Sequence, residues 1–210
     1  DALDKIAKIN QLLGGNKLTL QGLKAILPKG TKNLIKIIDV GCGNGDMLRT
    51  IADFGSQNGY NFQLVGIDAN AFTINHAAKL SSQYQNISYI CDDIFTMDPS
   101  KLICEIVVCT LTLHHFKDDE IVEILSVFKK SAKLGIVIND LQRSAMAYRL
   151  FQLLCVIFGL NRMSREDGLV SILRGFKKEE LIAFSEKLNF KKYSIDWKWA
   201  FRYQWIIQNI

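Results

Sequence analysis

Apolar runs of strand length alternate along this chain with segments of helical period. Residues 34–40 form a nearly continuous apolar run that enters a glycine turn at Gly41, and residues 46–54 follow as a helix. The unit recurs: a strand over 62–68, a helix over 71–83, strands over 87–91 and 103–110, a helix over 118–130 and a strand over 134–139. Ile121, Val122, Ile124, Leu125 and Phe128 give the 118–130 helix its buried face. Such alternation requires crossover helices on both faces of a mainly parallel sheet, an α/β doubly wound class.

Either side of this core the pattern changes. Leu3, Ile6, Ala7, Ile9, Leu12 and Leu13 recur at helical spacing and stop at Gly14-Gly15, a glycine C-cap, and a short helix over 18–27 is ended by Pro28. Residues 141–176 hold no obvious strand. They carry an amphipathic stretch, a polar segment over 161–168 and Arg174-Gly175, and read as an inserted cap. A helix over 177–188 and two aromatic strands, 193–199 and 202–207, close the chain, the strands near enough to pair as a hairpin. That makes seven strands with an antiparallel C-terminal one. The expected organisation is one domain over 1–210: an N-terminal helical segment 1–33, a core 34–140, the cap 141–176, and a C-terminal helix and hairpin 177–210. Repeats, low-complexity tracts and linkers are absent from the sequence.

Composition narrows the class. With 210 residues, 49% of them hydrophobic and 22% charged, the chain can bury a substantial core, which excludes disorder. The net charge of +5 is spread over many segments, so a nucleic-acid partner is permitted but not indicated. Five cysteines, Cys42, Cys91, Cys104, Cys109 and Cys155, lie in or beside apolar stretches without metal-type spacing, which fits reduced thiols in a cytoplasm and no metal site. The numbering opens at Asp1, as expected of a chain trimmed of leading residues, and no basic-then-apolar signal precedes the core. The apolar stretch 150–160 is too short and too interrupted to span a bilayer.

The turn Asp39-Val40-Gly41-Cys42-Gly43-Asn44-Gly45 carries the chemistry. Residues without Cβ let backbone approach a ligand, and in an open α/β sheet the ligand crevice lies at the carboxyl ends of the strands. A dinucleotide fingerprint counted from Gly41 would need glycine at 46, where Asp46 stands and would oppose a phosphate; the Lys-Ser/Thr of a phosphate-binding loop is absent too. The turn suits a phosphate-free, positively charged ligand. Asp39 can orient the turn, bind an ammonium group or cap its strand. Asp68, ending the second strand, can accept both hydroxyls of a ribose or N-cap the next helix.

These residues resemble a known family. Ile37-Ile38-Asp39-Val40-Gly41-Cys42-Gly43-Asn44-Gly45 is similar to the first motif of class I S-adenosylmethionine-dependent methyltransferases. Leu64-Val65-Gly66-Ile67-Asp68 resembles the second, Cys91-Asp92-Asp93-Ile94 the third, and the segment from Val107 through Thr110, Leu111 and His114 to Phe116 the fourth. The resemblance implies a Rossmann-like fold, S-adenosylmethionine as methyl donor, S-adenosylhomocysteine (SAH) as product, and no metal. It also implies that Gly41, Cys42, Gly43, Asn44 and Gly45 contact the methionine part and that Asp68, with Ala69 beside it, holds the ribose. Asp93 would accept from the adenine amino group, with Asp92 as the other acidic candidate and the Ile94 amide supporting the ring; Thr110 and Leu111 would line the wall near the sulfonium.

On the acceptor side, in-line methyl displacement gains most from positioning and exclusion of water, and a base helps when the acceptor is a hydroxyl. His114 and His115 at the end of the fourth strand, and Asp140 after the fifth, are the candidates; a structural hydrogen-bonding role for the pair and an N-cap for Asp140 are the alternatives. His76, within a helix, reads as a surface or groove residue. Arg143, Arg149 and Arg174 are cap cations that can bind an acidic acceptor or be solvated or ion-paired. Tyr148, Phe151, Leu154, Ile157 and Phe158 form an apolar face able to close over an aromatic or lipophilic acceptor, to pack on the sheet, or to touch a membrane surface peripherally. The segments 6–15, 139–144 and 174–176 resemble small-molecule methyltransferases of polyketide and quinone-like pathways. O-methylation of a small acceptor by a monomer or homodimer is therefore the expected function. An RNA or protein methyltransferase and a non-catalytic cofactor-binding partner subunit are the alternatives; Thr110-Leu111-Thr112-Leu113 replaces the Asn-Pro-Pro-Tyr-type signature of base and glutamine methylation.

Overall fold

The computed structural model describes residues 9–157, 159 and 161–208, so Leu3, Ile6 and Ala7 of the expected first helix and Phe158 of the cap face lie outside the described residues. Residues 9–12 are helical and the chain turns at 13–14. Helix α1 (Gly15–Ile26) then starts three residues before the predicted position. Tertiary contacts outweigh the glycine pair there: Asn139 Nδ2 donates to the Gly15 carbonyl at 3.1 Å, and a Cβ at Gly15 would lie 1.9 Å from Asn10 Oδ1.

The strands are β1 (Leu34–Val40), β2 (Asn61–Asp68), β3 (Ile87–Cys91), β4 (Cys104–Thr110), β5 (Ala132–Leu141), β6 (Lys192–Lys198) and β7 (Arg202–Gln208). They form one sheet in the order β3-β2-β1-β4-β5-β7-β6. Neighbours from β3 through β5 pair in parallel, and β7 runs antiparallel to both β5 and β6. The expected Rossmann-like, mainly parallel seven-stranded sheet is the architecture.

Strand β1 shows why its apolar run is continuous. Ile35 and Ile37 pack on one face with Leu23 of α1 and with Leu48 and Ile51 of α2 (Asp46–Asn58). Ile38 and Val40 pack on the other with Ile121, Leu125 and Phe128 of α4 (Asp118–Ser131) and Leu181 of α7 (Lys178–Lys187). Each fully buried isoleucine contributes about 1.5–3 kcal/mol. Helix α3 (Ala71–Leu80) covers the β2–β3 edge, capped by Asn70, whose Oδ1 accepts from the amides of Phe72 and Thr73. Helix α2 runs four residues past its expected end at 54. Gly55 lies inside it because a Cβ there would approach the Phe62 ring to 2.5 Å, and Gly59 (φ 69°) supplies the stop.

The cap is a pair of helices, α5 (Ala145–Ile157) and α6 (Arg162–Arg174), with its two ends tied together. The Arg143 amide donates to the Phe176 carbonyl at 2.9 Å and the Phe176 amide to the Leu141 carbonyl at 2.8 Å. Arg143 is ion-paired with Glu180 of α7. No helix among the described residues is long and apolar enough to cross a membrane.

Candidate active site

The glycine turn is anchored to β2, where the amides of Gly41 and Cys42 both donate to the Ile67 carbonyl at 2.8 and 3.1 Å. Gly41, Gly43 and Gly45 all have positive φ, between 53° and 74°. Their surroundings differ. A Cβ at Gly41 would meet Thr112 at 2.3 Å and one at Gly45 the Tyr89 hydroxyl at 2.0 Å, whereas at Gly43 nothing lies within 4 Å. The outer glycines make room for protein and the middle one keeps a face open to a ligand. Asp46, which starts α2, accepts from Asn16 Nδ2 at 2.9 Å and ties the turn to α1.

Asp39 is 2% exposed, and its Oδ1 has no hydrogen-bond partner. Burial first, then the charges of Asp46 and Asp68, push its carboxyl well above the usual carboxylate range. An ammonium group beside it would relieve that cost. Asp68 Oδ2 accepts from the Gly43 amide at 3.2 Å and Oδ1 from the Asn70 amide at 2.9 Å, so the carboxylate is held at the strand end with lone pairs left for hydroxyl donors. An orphaned acidic oxygen, an open glycine and a fixed second carboxylate fit an aminoacyl-adenosyl ligand.

A cavity of about 600 Å³ starts at Asp39, Gly41, Cys42, Gly43, Asn44 and Asp68, passes Thr110, Leu111, His114 and His115, and ends under α5 and α6. Gly45, Ala69, Asp92, Asp93, Ile94 and Asp140 are not on its wall. After β3, Asp92 Oδ1 accepts from the Asp93 amide, Asp93 Oδ1 from the Phe95 amide, and Ile94 is buried in the core. Asp140 stands behind His114. Its Oδ1 is 2.6 Å from His114 Nδ1 and accepts from the Leu141 amide, while Oδ2 accepts from the amides of Thr112 and Leu113. Burial pushes this carboxyl up, but the His114 charge and these hydrogen bonds outweigh it and hold the group below its usual value. Burial and the neighbouring His114 lower the basicity of His115, whose ring centroid is 4.1 Å from that of His114. His76 lies on α3, away from the cavity wall.

Residues 37–135 match the family described as a methyltransferase domain. This stretch contains the glycine turn, Asp68 and the His114-His115 rim of the cavity. Over these residues the chain carries a methyltransferase domain. In fold the methyltransferase is similar to the plantazolicin methyltransferase BpumL in complex with SAH, at TM-score 0.73 and 17% identity, over 99% of this chain and 89% of that one. It is also similar to magnesium protoporphyrin IX methyltransferase (ChlM) from Synechocystis PCC 6803 with bound SAH, at TM-score 0.64 and 14% identity, covering 94% and 84%. A third is a SAM-dependent methyltransferase from Aquifex aeolicus, at TM-score 0.64 and 15% identity, covering 97% and 98%. No curated protein matches the chain in sequence.

The methyltransferase builds the far end of its cavity from residues that sequence reasoning passes over. On α5 the cavity face is Ala147, Leu150, Phe151, Leu153 and Leu154. Of the expected face, Ile157 is 66% exposed, while Ala147 and Cys155 are buried. Helix α6 presents Ser164, Asp167, Gly168 and Ser171, a polar stripe at helical spacing whose first three members fall in what reads as a merely polar segment. Gly168 is where the helices meet, since a Cβ there would come within 2.4 Å of Phe151. Arg202, at the start of β7, is also absent from the sequence-based candidates. It is 4% exposed and lines the cavity, because β7 is an interior strand with both faces covered.

Two kinds of local cost collect on this wall. Seven buried side-chain polar atoms among the described residues lack a hydrogen-bond partner, and five of them belong to the cavity residues Asn10, Asp39, Ser164 and Arg202. Of the four non-glycine residues with positive φ among the described residues, Leu111, Ala200 and Phe201 are on the wall too. Ala200→Gly at φ 61° is expected to stabilise the protein by about 1 kcal/mol, a rise of roughly 2–4 °C in a thermal melt. An unchanged melting temperature would show that the turn between β6 and β7 relaxes without help.

Proposed function

We propose that the methyltransferase methylates a hydroxyl oxygen of a small aromatic or lipophilic acceptor held under α5 and α6, with His114 as base. The observation that carries this reading is the 2.6 Å contact between His114 Nδ1 and the buried Asp140. It spends Nδ1 on the carboxylate and leaves Nε2 as the ring nitrogen for an acceptor proton. Asp140 is then a positioning residue. His115, weakened as a base, packs beside the working ring. When bound, S-adenosylmethionine supplies an electrophilic methyl group; Asp39, the Gly41–Gly45 turn and Asp68 hold it, and Thr110 and Leu111 flank the transfer end. Asp92, Asp93 and Ile94 remain the adenine-side candidates from motif similarity.

Leu150, Phe151 and Leu154 roof the chamber with apolar surface, which suits a small lipophilic molecule better than an RNA backbone or a protein segment. Two of the fold neighbours are named for small molecules, plantazolicin and magnesium protoporphyrin IX, which supports the same class. The exposed Met146, Val156 and Ile157 on the outside of α5 support peripheral contact with a membrane surface, where lipophilic acceptors partition. The test is transfer of methyl label from S-adenosylmethionine into an extract of the source cells. Label is expected in a solvent-extractable molecule bearing a new O-methyl group. Label confined to RNA or protein would overturn the small-molecule class, and a C-methyl product the choice of oxygen.

A further inference from the structure

The end of the cavity away from the glycine turn contains a cation that the methyl-transfer chemistry leaves unused. Nε and Nη1 of the buried Arg202 have no hydrogen-bond partner, and Asn10 Oδ1 beside them has none either. Both residues border the space at Gly15: a Cβ built there would be 1.9 Å from Asn10 Oδ1 and 2.8 Å from Arg202 Nη1. The orientation of Asn10 is set from a distance. Asp46 Oδ2 takes Asn16 Nδ2 as donor, which leaves Asn16 Oδ1 to accept from Asn10 Nδ2 at 2.9 Å and aims Asn10 Oδ1 away. Asp140 is the opposite charge that acts on Arg202, but both of its oxygens are engaged by His114 and by the amides of Thr112, Leu113 and Leu141. A buried guanidinium that lines a cavity with two nitrogens unspent is a costly arrangement, and an anion accepting from its N–H groups would relieve it.

We propose that Arg202 is the carboxylate-binding residue of the acceptor site, so that the acceptor is a hydroxylated aromatic or lipophilic acid gripped by its carboxylate while its hydroxyl faces His114. This deepens the proposed function and rests on it. The cofactor also carries a carboxylate, but the layout favours the acceptor. Leu141 of β5 pairs with Arg202 of β7, which puts β7 three strands from β1 and its glycine turn, about 14 Å at ordinary strand spacing. An ammonium and a carboxylate on one amino acid would sit far closer together. Burial lowers the Arg202 pKa to about 10, which leaves it a cation at neutral pH.

The test uses the SAH complex of the full chain, with 2-naphthoate and its neutral counterpart 2-naphthamide as probes. Wild type is expected to bind naphthoate at least about tenfold more tightly than naphthamide. Arg202→Gln is expected to abolish that preference while binding SAH as wild type does, and Arg202→Lys to restore part of it. In case the variants fail to fold, the wild-type Arg202 Nε–H resonance provides a separate reading, since it should shift with naphthoate and not with naphthamide. Equal binding of the two probes to wild type would overturn the carboxylate site alone. Binding of neither would overturn the aromatic-acceptor reading and this proposal with it. Loss of SAH affinity in Arg202→Gln would assign the residue to the carboxylate of the cofactor.

Discussion

His114→Ala is expected to lower kcat by about 10²–10⁴ while SAH affinity stays at the wild-type value, because the substitution removes a proton acceptor and leaves the glycine turn untouched. Added imidazole should restore part of the rate to His114→Gly. Retained activity in both variants would remove His114 from the chemistry. Asp140→Asn separates positioning from folding. Four donors converge on the two Asp140 oxygens, and an amide offers one oxygen in their place. The expected cost is about 3 kcal/mol, roughly 6–12 °C in a thermal melt, together with a lower kcat. The pH dependence has a definite sign. The Asp140 carboxyl lies below its ordinary value of 3.8 in the folded protein, so the stability it lends is present above that value and is lost as pH falls through the lower folded one. Asp140→Asn should therefore flatten the acid limb of a stability profile; an unchanged limb would contradict this account.

Asp39→Asn should have opposite effects on two measurements. It removes a buried carboxyl with an unpartnered oxygen, so the ligand-free protein should gain on the order of 1–3 kcal/mol. The same change deletes the carboxylate proposed to pair with the cofactor ammonium and should weaken S-adenosylmethionine binding about 10- to 100-fold. Here the folded pKa is raised. The unfolded chain loses its proton near 3.8 and the folded chain keeps it to higher pH, so stability falls as pH rises through that interval, a slope the asparagine variant should lack. Cofactor binding should also expel a proton from wild type in that interval, visible by calorimetry in buffers of different ionisation heat. A variant with lower stability, or with unchanged affinity, would show that Asp39 braces the turn and does not bind the ligand.

The central strands are legible in the sequence because β1, β2, β4 and β5 are buried on both faces, and burial on both faces forces the continuous apolar runs that glycine and aspartate then punctuate. The cofactor end follows from the same punctuation. The acceptor end does not. Residues 161–168 are polar, and only their placement opposite Phe151 turns Ser164 and Asp167, with Ser171 a turn further on, into a wall. Arg202 begins an aromatic stretch whose polar positions read as solvated; its burial comes from Gly15 and Asn10, nearly the whole chain away in sequence. Asp140 looks like a helix cap until His114 and the turn after β4 fold against it. Helix ends are misjudged from sequence where glycine serves packing, as Gly55 does against Phe62, instead of stopping the helix.

The tie at the root of the cap has a consequence for how such an enzyme can change. Gln142 bridges Phe176, so the insert leaves and re-enters the core at adjacent points, and Gly175 is needed there because a Cβ would lie 2.8 Å from the Leu141 carbonyl. A segment joined at one pinched neck can be lengthened, shortened or exchanged without disturbing the register of β5 or the glycine turn. New acceptors would then be reached by replacing one cassette between residues 143 and 174, with the donor half inherited intact.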